Sequence, residues 1–273
     1  MARFSACFLL VFGQLAVGGI AALAVPPFGV LERGFYKSSA GLFLGCAVVY
    51  LAGRLALALR GAGGSPIGGV ELALWVSFTL AVAVYLASLW GDAARRRARA
   101  YALSLLLGLA ALAASANAYR VGPLLSPATF LYPLAFVTGA LTLGAVAGGM
   151  LLGHWYLIDL GLSIVPLRRL FDYFVAVLIA HLAVLLLTLV AMRVAPAPGP
   201  AAVATLWQDY AGLFAVRVLV GPLAALGLGY LIHRTLLIPQ TMAATGLFYI
   251  AILFVMVGEI IGRLILFRTS LPL

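Results

Sequence analysis

Eight apolar segments, each long enough to cross a lipid bilayer as a helix, account for most of this sequence. Hydrophobic residues occupy 65% of its 273 positions and charged residues only 9%, which excludes a water-soluble single domain. We predict one all-α domain, residues 1–273: an integral membrane bundle of eight transmembrane helices. The segments are 5–25, 40–59, 70–90, 100–118, 129–153, 171–192, 208–232 and 243–267.

The first segment has an alternative interpretation as a signal peptide. Arg3 precedes it, and Ala22-Leu23-Ala24 resembles a cleavage site. Gln14 and the pair Gly18-Gly19 interrupt the smooth apolar stretch that such peptides use. We therefore count it as the first span.

The distribution of positive charge predicts the orientation. Nine Arg and Lys residues fall in the odd-numbered connections and five on the other side, and the cluster Arg95 to Arg99 is decisive. Since positive loops stay in the cytoplasm, both termini are expected outside, in the periplasm of a bacterial inner membrane. The net charge of +10 is thus explained by topology and lipid headgroups, and no nucleic-acid partner is expected.

Metal and haem sites are not indicated by the few cysteines and histidines. Cys7 and Cys46 lie in different spans without neighbouring ligands, so no iron–sulfur cluster is expected within this chain. His181 lies near the middle of the sixth span, whereas His154 and His233 end the fifth and seventh. No two histidines share a depth inside the bilayer, and no haem is expected.

Polar residues within the spans fall almost entirely in the predicted outer half. Because a charge in lipid is costly, these groups are expected to face protein or water, around a common cavity. The candidates for this cavity are Gln14, Arg54, Glu71, Asn117, Arg217, Glu259 and Arg263.

Several of these residues have simpler interpretations. Glu259 and Arg263, four residues apart, would pair on one helix face, while Gly258 and Gly262 admit a neighbouring helix. Arg54 is near enough to a helix end to reach the headgroups. Arg217 lies deeper and is the best candidate for contacting a polar ligand atom. His181 is either a core histidine or a proton relay.

Glycine and proline mark close contacts and loops. The glycines at 139, 144, 148 and 149 predict tight packing of the fifth span. A stiff external loop is expected at Pro196–Pro200, and a tight loop at the Gly/Pro-rich residues 61–66.

Two segments together resemble a known family. Val11-Phe12-Gly13-Gln14-Leu15-Ala16-Val17-Gly18-Gly19 and Gly258-Glu259-Ile260-Ile261-Gly262-Arg263 look like the first and last helices of the membrane-anchor subunit of dimethyl sulfoxide reductase, within the polysulfide-reductase-type anchor superfamily. Phe214-Ala215-Val216-Arg217 resembles the arginine region of the family's seventh helix. Glu71 opens the third span about where the family carries a glutamate.

The resemblance implies a subunit that exchanges electrons with menaquinone or ubiquinone at the outer face. Its partners would be an iron–sulfur electron-transfer subunit and a molybdopterin or cytochrome subunit. The implied quinone pocket is lined by Glu71 and Arg217, with Glu259 and Arg263. A carboxylate would accept a proton from quinol, and an arginine would hold the carbonyl form.

One departure from the family leaves alternatives open. The family's second helix carries a histidine in a Leu-His-Leu-Gly context, where this chain reads Tyr50-Leu51-Ala52-Gly53-Arg54-Leu55. Either Arg54 has taken over, or the chain is a structural anchor without quinone chemistry. A transporter is a third possibility, but it calls for matching Gly/Pro-interrupted half-helices in two repeats, and the sequence shows no such pair.

Overall fold

All the regular structure in the described residues is helical. The computed structural model describes residues 2–60, 68–121, 123, 126–159, 161–238 and 240–273, so the predicted loop at 61–66 lies outside them. The helices are α1 (Ala2–Ala22), α2 (Arg33–Leu59), α3 (Gly69–Ser88), α4 (Ala94–Ala118), α5 (Ala128–Trp155), α6 (Val165–Val194), α7 (Gly199–Asp209), α8 (Ala211–Val218), α9 (Ala224–Leu237) and α10 (Thr241–Thr269).

The described chain contains eight helical spans long and apolar enough to cross a membrane, which confirms the predicted number. The second and sixth begin earlier than expected, at Arg33 and Val165 instead of residues 40 and 171. Their first turns carry Lys37 and Arg168, whose long side chains let a helix continue through the headgroup region into water. Apolar length alone does not show such extensions.

The seventh span is interrupted by a π-helical segment. It consists of α8, the π turn Leu219–Leu223 and α9. Pro222 lies inside the π turn and cannot donate a backbone hydrogen bond, which favours a local change of helical pitch. The third span, α3, is a continuous helix, so the first four spans contain no matching interruption at the equivalent position.

Before this span, a short helix replaces much of the predicted external loop. That loop was expected to extend to Pro200, but α7 begins at Gly199, because Pro200 is well suited to a first helical turn. Val203 and Leu206 are buried, and α7 packs against α6 and α10. The expected stiff loop is therefore shorter than predicted.

The spans form two four-helix bundles that share a wall. In the first bundle, α1 contacts α2 and α4, and α3 packs between α2 and α4. In the second, α5 contacts α6 and α10, and the seventh span packs between those two. Helix α1 also packs along α5 and α10, so it belongs to the first bundle and seals the second.

Glycines permit the closest helix crossing, between α1 and α5. A Cβ atom on Gly18 would lie 1.7 Å from the carbonyl oxygen of Ala140, and one on Gly144 would lie 1.9 Å from the carbonyl carbon of Gly18. On the same helix, Gly149 faces the ring of Phe248 in α10. The predicted tight packing of the fifth span is thereby confirmed.

After α10 the chain turns back into the bundle. Ser270 has a left-handed backbone (φ 60°), and its carbonyl accepts a hydrogen bond from the Tyr132 hydroxyl of α5. Leu271 and Leu273 are each 1% exposed, and the carbonyl of Leu273 lies against Gly262. Residues 270–273 therefore cover one side of α10.

The α1–α5 crossing should be intolerant of a single methyl group. We expect Gly18→Ala to push the backbones apart and to lower the free energy of unfolding by about 1–3 kcal/mol. Gly45→Ala in α2 is the matched control, because a Cβ atom there meets no atom within 4 Å. Thermal unfolding in mild detergent checks the pair. Equal melting temperatures for the two variants would contradict this packing.

Candidate functional site: two buried charge clusters

The structure separates the predicted site residues into two clusters instead of gathering them around one cavity. The Glu259 cluster lies in the second bundle and consists of Gln14, Thr138, His181, Arg217, Glu259 and Arg263. The Glu71 cluster lies in the first bundle and consists of Tyr50, Arg54, Glu71, Trp75, Ser115 and Tyr119. Asn117, also a candidate, is exposed and belongs to neither.

Glu259 is the centre of the first-named cluster. Its Oε1 accepts a hydrogen bond from Arg217 Nη2 at 2.6 Å. Its Oε2 accepts from Arg263 Nη2 at 3.1 Å and from Gln14 Nε2 at 3.0 Å. Three groups, from α1, α8 and α10, are thus joined by one carboxylate. The predicted pairing of Glu259 with Arg263 is confirmed, but it is only one part of a larger network.

Glycines make room for this network. A Cβ atom on Gly139 of α5 would lie 2.5 Å from Glu259 Oε2 and 2.8 Å from Gln14 Nε2. On α10, a Cβ atom on Gly258 would lie 3.0 Å from Arg217 Nη1, and one on Gly262 would lie 2.8 Å from Arg217 Nε. At any of these three positions, a residue larger than glycine would occupy space that a side chain of the network now fills.

His181 is held by hydrogen bonds at both ring nitrogens. Its Nδ1 lies 3.0 Å from Thr138 Oγ1, and that hydroxyl donates to the Leu134 carbonyl at 2.9 Å. The hydroxyl therefore accepts from an Nδ1–H group, which leaves Nε2 as the acceptor in the neutral ring. Nε2 lies 2.7 Å from Arg217 Nη2 and 3.0 Å from Glu259 Oε1.

This arrangement offers the His181 ring a hydrogen-bond partner at both nitrogens in either protonation state. A neutral ring would accept at Nε2 from Arg217, whereas a protonated ring would donate from Nε2 to Glu259. Nδ1 keeps the same partner, Thr138, in both cases. The choice between a core histidine and a proton relay therefore does not depend on a rotation of the ring.

The Glu259 cluster carries an unbalanced positive charge. Two guanidinium groups face one carboxylate, so with a neutral His181 one positive charge is left over. Arg217 Nε, Arg263 Nε and Arg263 Nη1 are buried without a hydrogen-bond partner among the described residues. The Phe136 ring, 4.1 Å from Arg263 Cζ, offsets part of the charge by a cation–π contact. The cluster therefore has free donors for an acceptor oxygen.

The Glu71 cluster is balanced in charge. Glu71 Oε1 accepts from Ser115 Oγ at 2.7 Å and lies 3.6 Å from Arg54 Nη2. Arg54 Nη1 donates to the Tyr119 hydroxyl at 3.1 Å. Arg54 is 2% exposed, so it points into the protein and does not reach out to the headgroups. Glu71 Oε2 has no hydrogen-bond partner among the described residues.

Aromatic and hydroxyl groups complete the Glu71 cluster. Trp75 Nε1 donates to Ser115 Oγ at 2.8 Å, and the Tyr50 hydroxyl lies 3.3 Å from Glu71 Oε1. These partners were not among the predicted site residues. A signal was available, because Tyr50, Glu71 and Ser115 each precede another cluster member by four residues, which places each pair on one helix face.

Two adjacent residues of α1, Gly13 and Gln14, contact different clusters, so α1 lies between them. A Cβ atom on Gly13 would lie 2.9 Å from both the Trp75 and Tyr50 rings, whereas Gln14 donates to Glu259. The Gln14 side chain also donates to the Phe136 carbonyl of α5 at 3.2 Å. The two clusters therefore lie on opposite sides of one turn of α1.

Most side chains of the two clusters are buried in this conformation. The exposed fractions of Gln14, Arg54, Glu71, His181, Arg217, Glu259 and Arg263 lie between 0% and 4%. Thr138 is 8% exposed and Tyr119 is half-buried. The predicted site residues therefore do not surround one cavity that is open to solvent, because they fall into two separate and largely buried clusters.

The other two histidines lie at helix ends, away from both clusters. His154 ends α5, and the ring of His233 in α9 stacks on Phe171 with the centroids 6.0 Å apart. Among the described residues, no three His, Cys, Asp or Glu side chains are grouped as metal ligands would be.

No protein-family model matches this chain, and no curated protein matches it.

Removing the central carboxylate together with one of its arginines should cost less stability than the two separate changes added together. We expect Glu259→Gln to destabilise the protein by about 3–5 kcal/mol, because two buried guanidiniums lose their counter-ion. Adding Arg263→Gln should cost less than the sum of the single changes. Reversible unfolding in SDS measures this cycle, with exposed Glu32→Gln as control. Additive effects would contradict the network.

Proposed function

We propose that this chain is the integral membrane subunit of a respiratory oxidoreductase, exchanging electrons between the quinone pool and an iron–sulfur or cytochrome partner. The observation that carries the proposal is the buried excess positive charge of the Glu259 cluster, in which three guanidinium nitrogens have no hydrogen-bond partner among the described residues. The residues that support it further are those of α1, α8 and α10 that resemble the anchor subunit of dimethyl sulfoxide reductase.

The donor set of this cluster fits a quinone headgroup. Menaquinone and ubiquinone present carbonyl oxygens, which accept hydrogen bonds, on an apolar ring. Arg217 Nε and Arg263 Nη1 have no acceptor among the described residues, and the Phe136 ring lies beside Arg263. A donor hydrogen-bonded to a quinone oxygen also stabilises the negative charge that develops when electrons arrive.

His181 is the proposed proton acceptor. Oxidation of a bound quinol would pass two electrons to the iron–sulfur or cytochrome partner and release two protons, one to His181 and the other to Glu71 as the second candidate acceptor. The Nε2 atom of His181 can take one proton as its hydrogen bond changes from Arg217 to Glu259, and Glu259 stabilises the resulting cation. Glu259 itself is held as an anion by its two arginines, Arg217 and Arg263. It is thus a positioning residue and not the base.

Glu71 is a second candidate acceptor, in the other bundle. Its Oε2 has no hydrogen-bond partner in the described part of the chain, and Glu71 lies in the first turn of the third span, close to the end of the bundle that carries the termini. The missing histidine of the family's second helix is replaced in this region by Arg54, which neutralises Glu71. The Glu71 cluster therefore fits a proton exit route better than a second quinone site.

A route from the lipid to Arg217 runs between the seventh span and α10. There the Gly221 and Gly258 backbones meet, and Arg217 Nη1 lies directly behind them. Val216, Leu219 and Val257 are exposed on the lipid-facing side of this seam. Because neither glycine has a side chain, a small separation of the two helices would open the cluster to a quinone from the bilayer.

The proposed orientation puts both clusters in the outer half of a bacterial inner membrane. Glu259 lies about 15 Å from the end of α10 at Thr269, and Glu71 is in the first turn of α3. With both termini in the periplasm, these helix ends face outward. Protons released from quinol would then leave on the periplasmic side.

A structural anchor without a quinone site is the second candidate. The observation in its favour is that the charged groups of both clusters are 0–4% exposed and that many of them are already paired. Under this alternative, changing the cluster residues would lower the yield of assembled complex. The activity per assembled complex would stay the same.

Quinol-dependent turnover separates the two candidates. In the purified complex, Arg217→Gln should lower turnover at least about tenfold, since a charge-assisted hydrogen bond contributes about 1.5–3 kcal/mol. Glu71→Gln should also lower turnover. The matched controls, exposed Arg193→Gln and Glu32→Gln, should have no effect. Unchanged turnover per assembled complex in both cluster variants would overturn the proposed quinone chemistry.

Co-purification tests the proposed partners. We expect the tagged protein, isolated in mild detergent, to bring an iron–sulfur protein with a molybdopterin enzyme or a cytochrome in equal amounts. Mass spectrometry identifies whatever is isolated with it. Purification of the chain alone, under conditions that preserve other respiratory complexes of the same membrane, would count against the respiratory assignment.

A further inference from the structure

An open cavity of about 340 Å³ lies in the first bundle at the end opposite the termini. It is formed by the turn after α1, the last turns of α3 and the first turns of α4. Its wall is mainly apolar and aromatic, and includes Pro26, Pro27, Phe28, Tyr36, Tyr85 and Tyr101. The cavity is remote in sequence and in depth from both charge clusters, so its function is a separate question.

Arg97 is the one charged residue that lines this cavity. Its guanidinium lies over the Phe28 ring, with Cζ 4.1 Å from the ring centroid. Its Nη1 is buried without a hydrogen-bond partner among the described residues. A cation–π contact does not use the N–H groups of a guanidinium to bond an acceptor oxygen, so these groups stay available as donors. The cavity therefore contains a cationic donor and no counter-ion for it.

Two of the three tyrosine hydroxyls in the wall are already engaged. The Tyr36 hydroxyl donates to the Pro26 carbonyl at 2.9 Å, and the Tyr101 hydroxyl donates to the Ile20 carbonyl at 2.9 Å. These bonds hold the end of α1 and the turn after it against α4 and α2. Arg97 is thus the charged donor of this wall, with the Tyr85 hydroxyl as a further polar group.

The neighbouring arginines differ from Arg97. Arg96 and Arg99 line a separate cavity between α3 and α4, where exposed Asp92 is close. Arg95 lines neither cavity and is exposed. The cluster that sets the orientation of the chain is therefore not uniform, because one of its members is directed into a pocket.

We infer that this cavity binds the headgroup of an anionic phospholipid, with the phosphate on Arg97. A phosphate accepts hydrogen bonds from a guanidinium in a geometry that suits it, and the apolar wall suits the glycerol and first acyl carbons. The cavity lies at the depth expected for a lipid headgroup, since α4 passes here from its arginine-rich start into its apolar span. Basic pockets between membrane helices commonly bind such lipids at this level.

Native mass spectrometry in mild detergent tests this site with phosphatidylglycerol as the probe and phosphatidylethanolamine as the comparison. Arg97→Gln should weaken phosphatidylglycerol binding about tenfold, the effect of one charge-assisted hydrogen bond. Arg95→Gln removes the same charge outside the cavity and should leave binding intact. Equal losses in both variants, or no loss in Arg97→Gln, would overturn the proposal.

A second variant distinguishes loss of lipid binding from misfolding. Ala98→Leu keeps every charge but fills the cavity, so it should also weaken phosphatidylglycerol binding, with an unchanged elution volume and helix content. Inorganic phosphate at millimolar concentration separates the two sources of the anion. Phosphate that fails to displace the lipid supports a phospholipid site, whereas displacement would assign the cavity to a small anion and overturn the lipid proposal.

Discussion

The Glu259 carboxylate is the interaction on which the arrangement of the second bundle depends. It is 1% exposed and binds groups from three helices, including two arginines that no other carboxylate contacts among the described residues. Isolated guanidiniums in a membrane interior are very costly, so α8 and α10 must pack where their arginines share this anion. Gln14 then joins α1, which belongs to the other bundle, to the same anion. One carboxylate thereby fixes the relative positions of the two bundles.

The glycines around this carboxylate show that the buried charges and the close helix packing depend on each other. Gly139, Gly258 and Gly262 each leave a space that a charged group occupies. The same helices carry Gly18 and Gly144, where α1 and α5 meet backbone to backbone. Since lipid gives helices no hydrophobic reason to associate, close contact and buried polar bonds must hold them together. Here the close contacts place the polar groups within bonding distance.

Much of the fold could be predicted from the sequence because membrane spans depend on length and apolarity, which are local properties. The eight spans, the Glu259–Arg263 pair and the tight packing at Gly144 are examples. The partition into two clusters was not predictable, because the rotation of uniformly apolar helices cannot be deduced from their periodicity. Arg54 illustrates this, since one rotation turns it to the headgroups and another to Glu71. The π turn at Pro222 likewise depends on how α8 and α9 pack against α10.

We propose that a quinone reaches the Glu259 cluster between Gly221 and Gly258. A photoreactive quinone analogue, irradiated with the protein in membranes and followed by peptide mapping, would locate its binding site. We expect saturable labelling of peptides from α8 and α10 around Arg217 and Glu259, and loss of this labelling when unlabelled quinone is added in excess. Labelling confined to other helices, or labelling that excess quinone does not reduce, would contradict it.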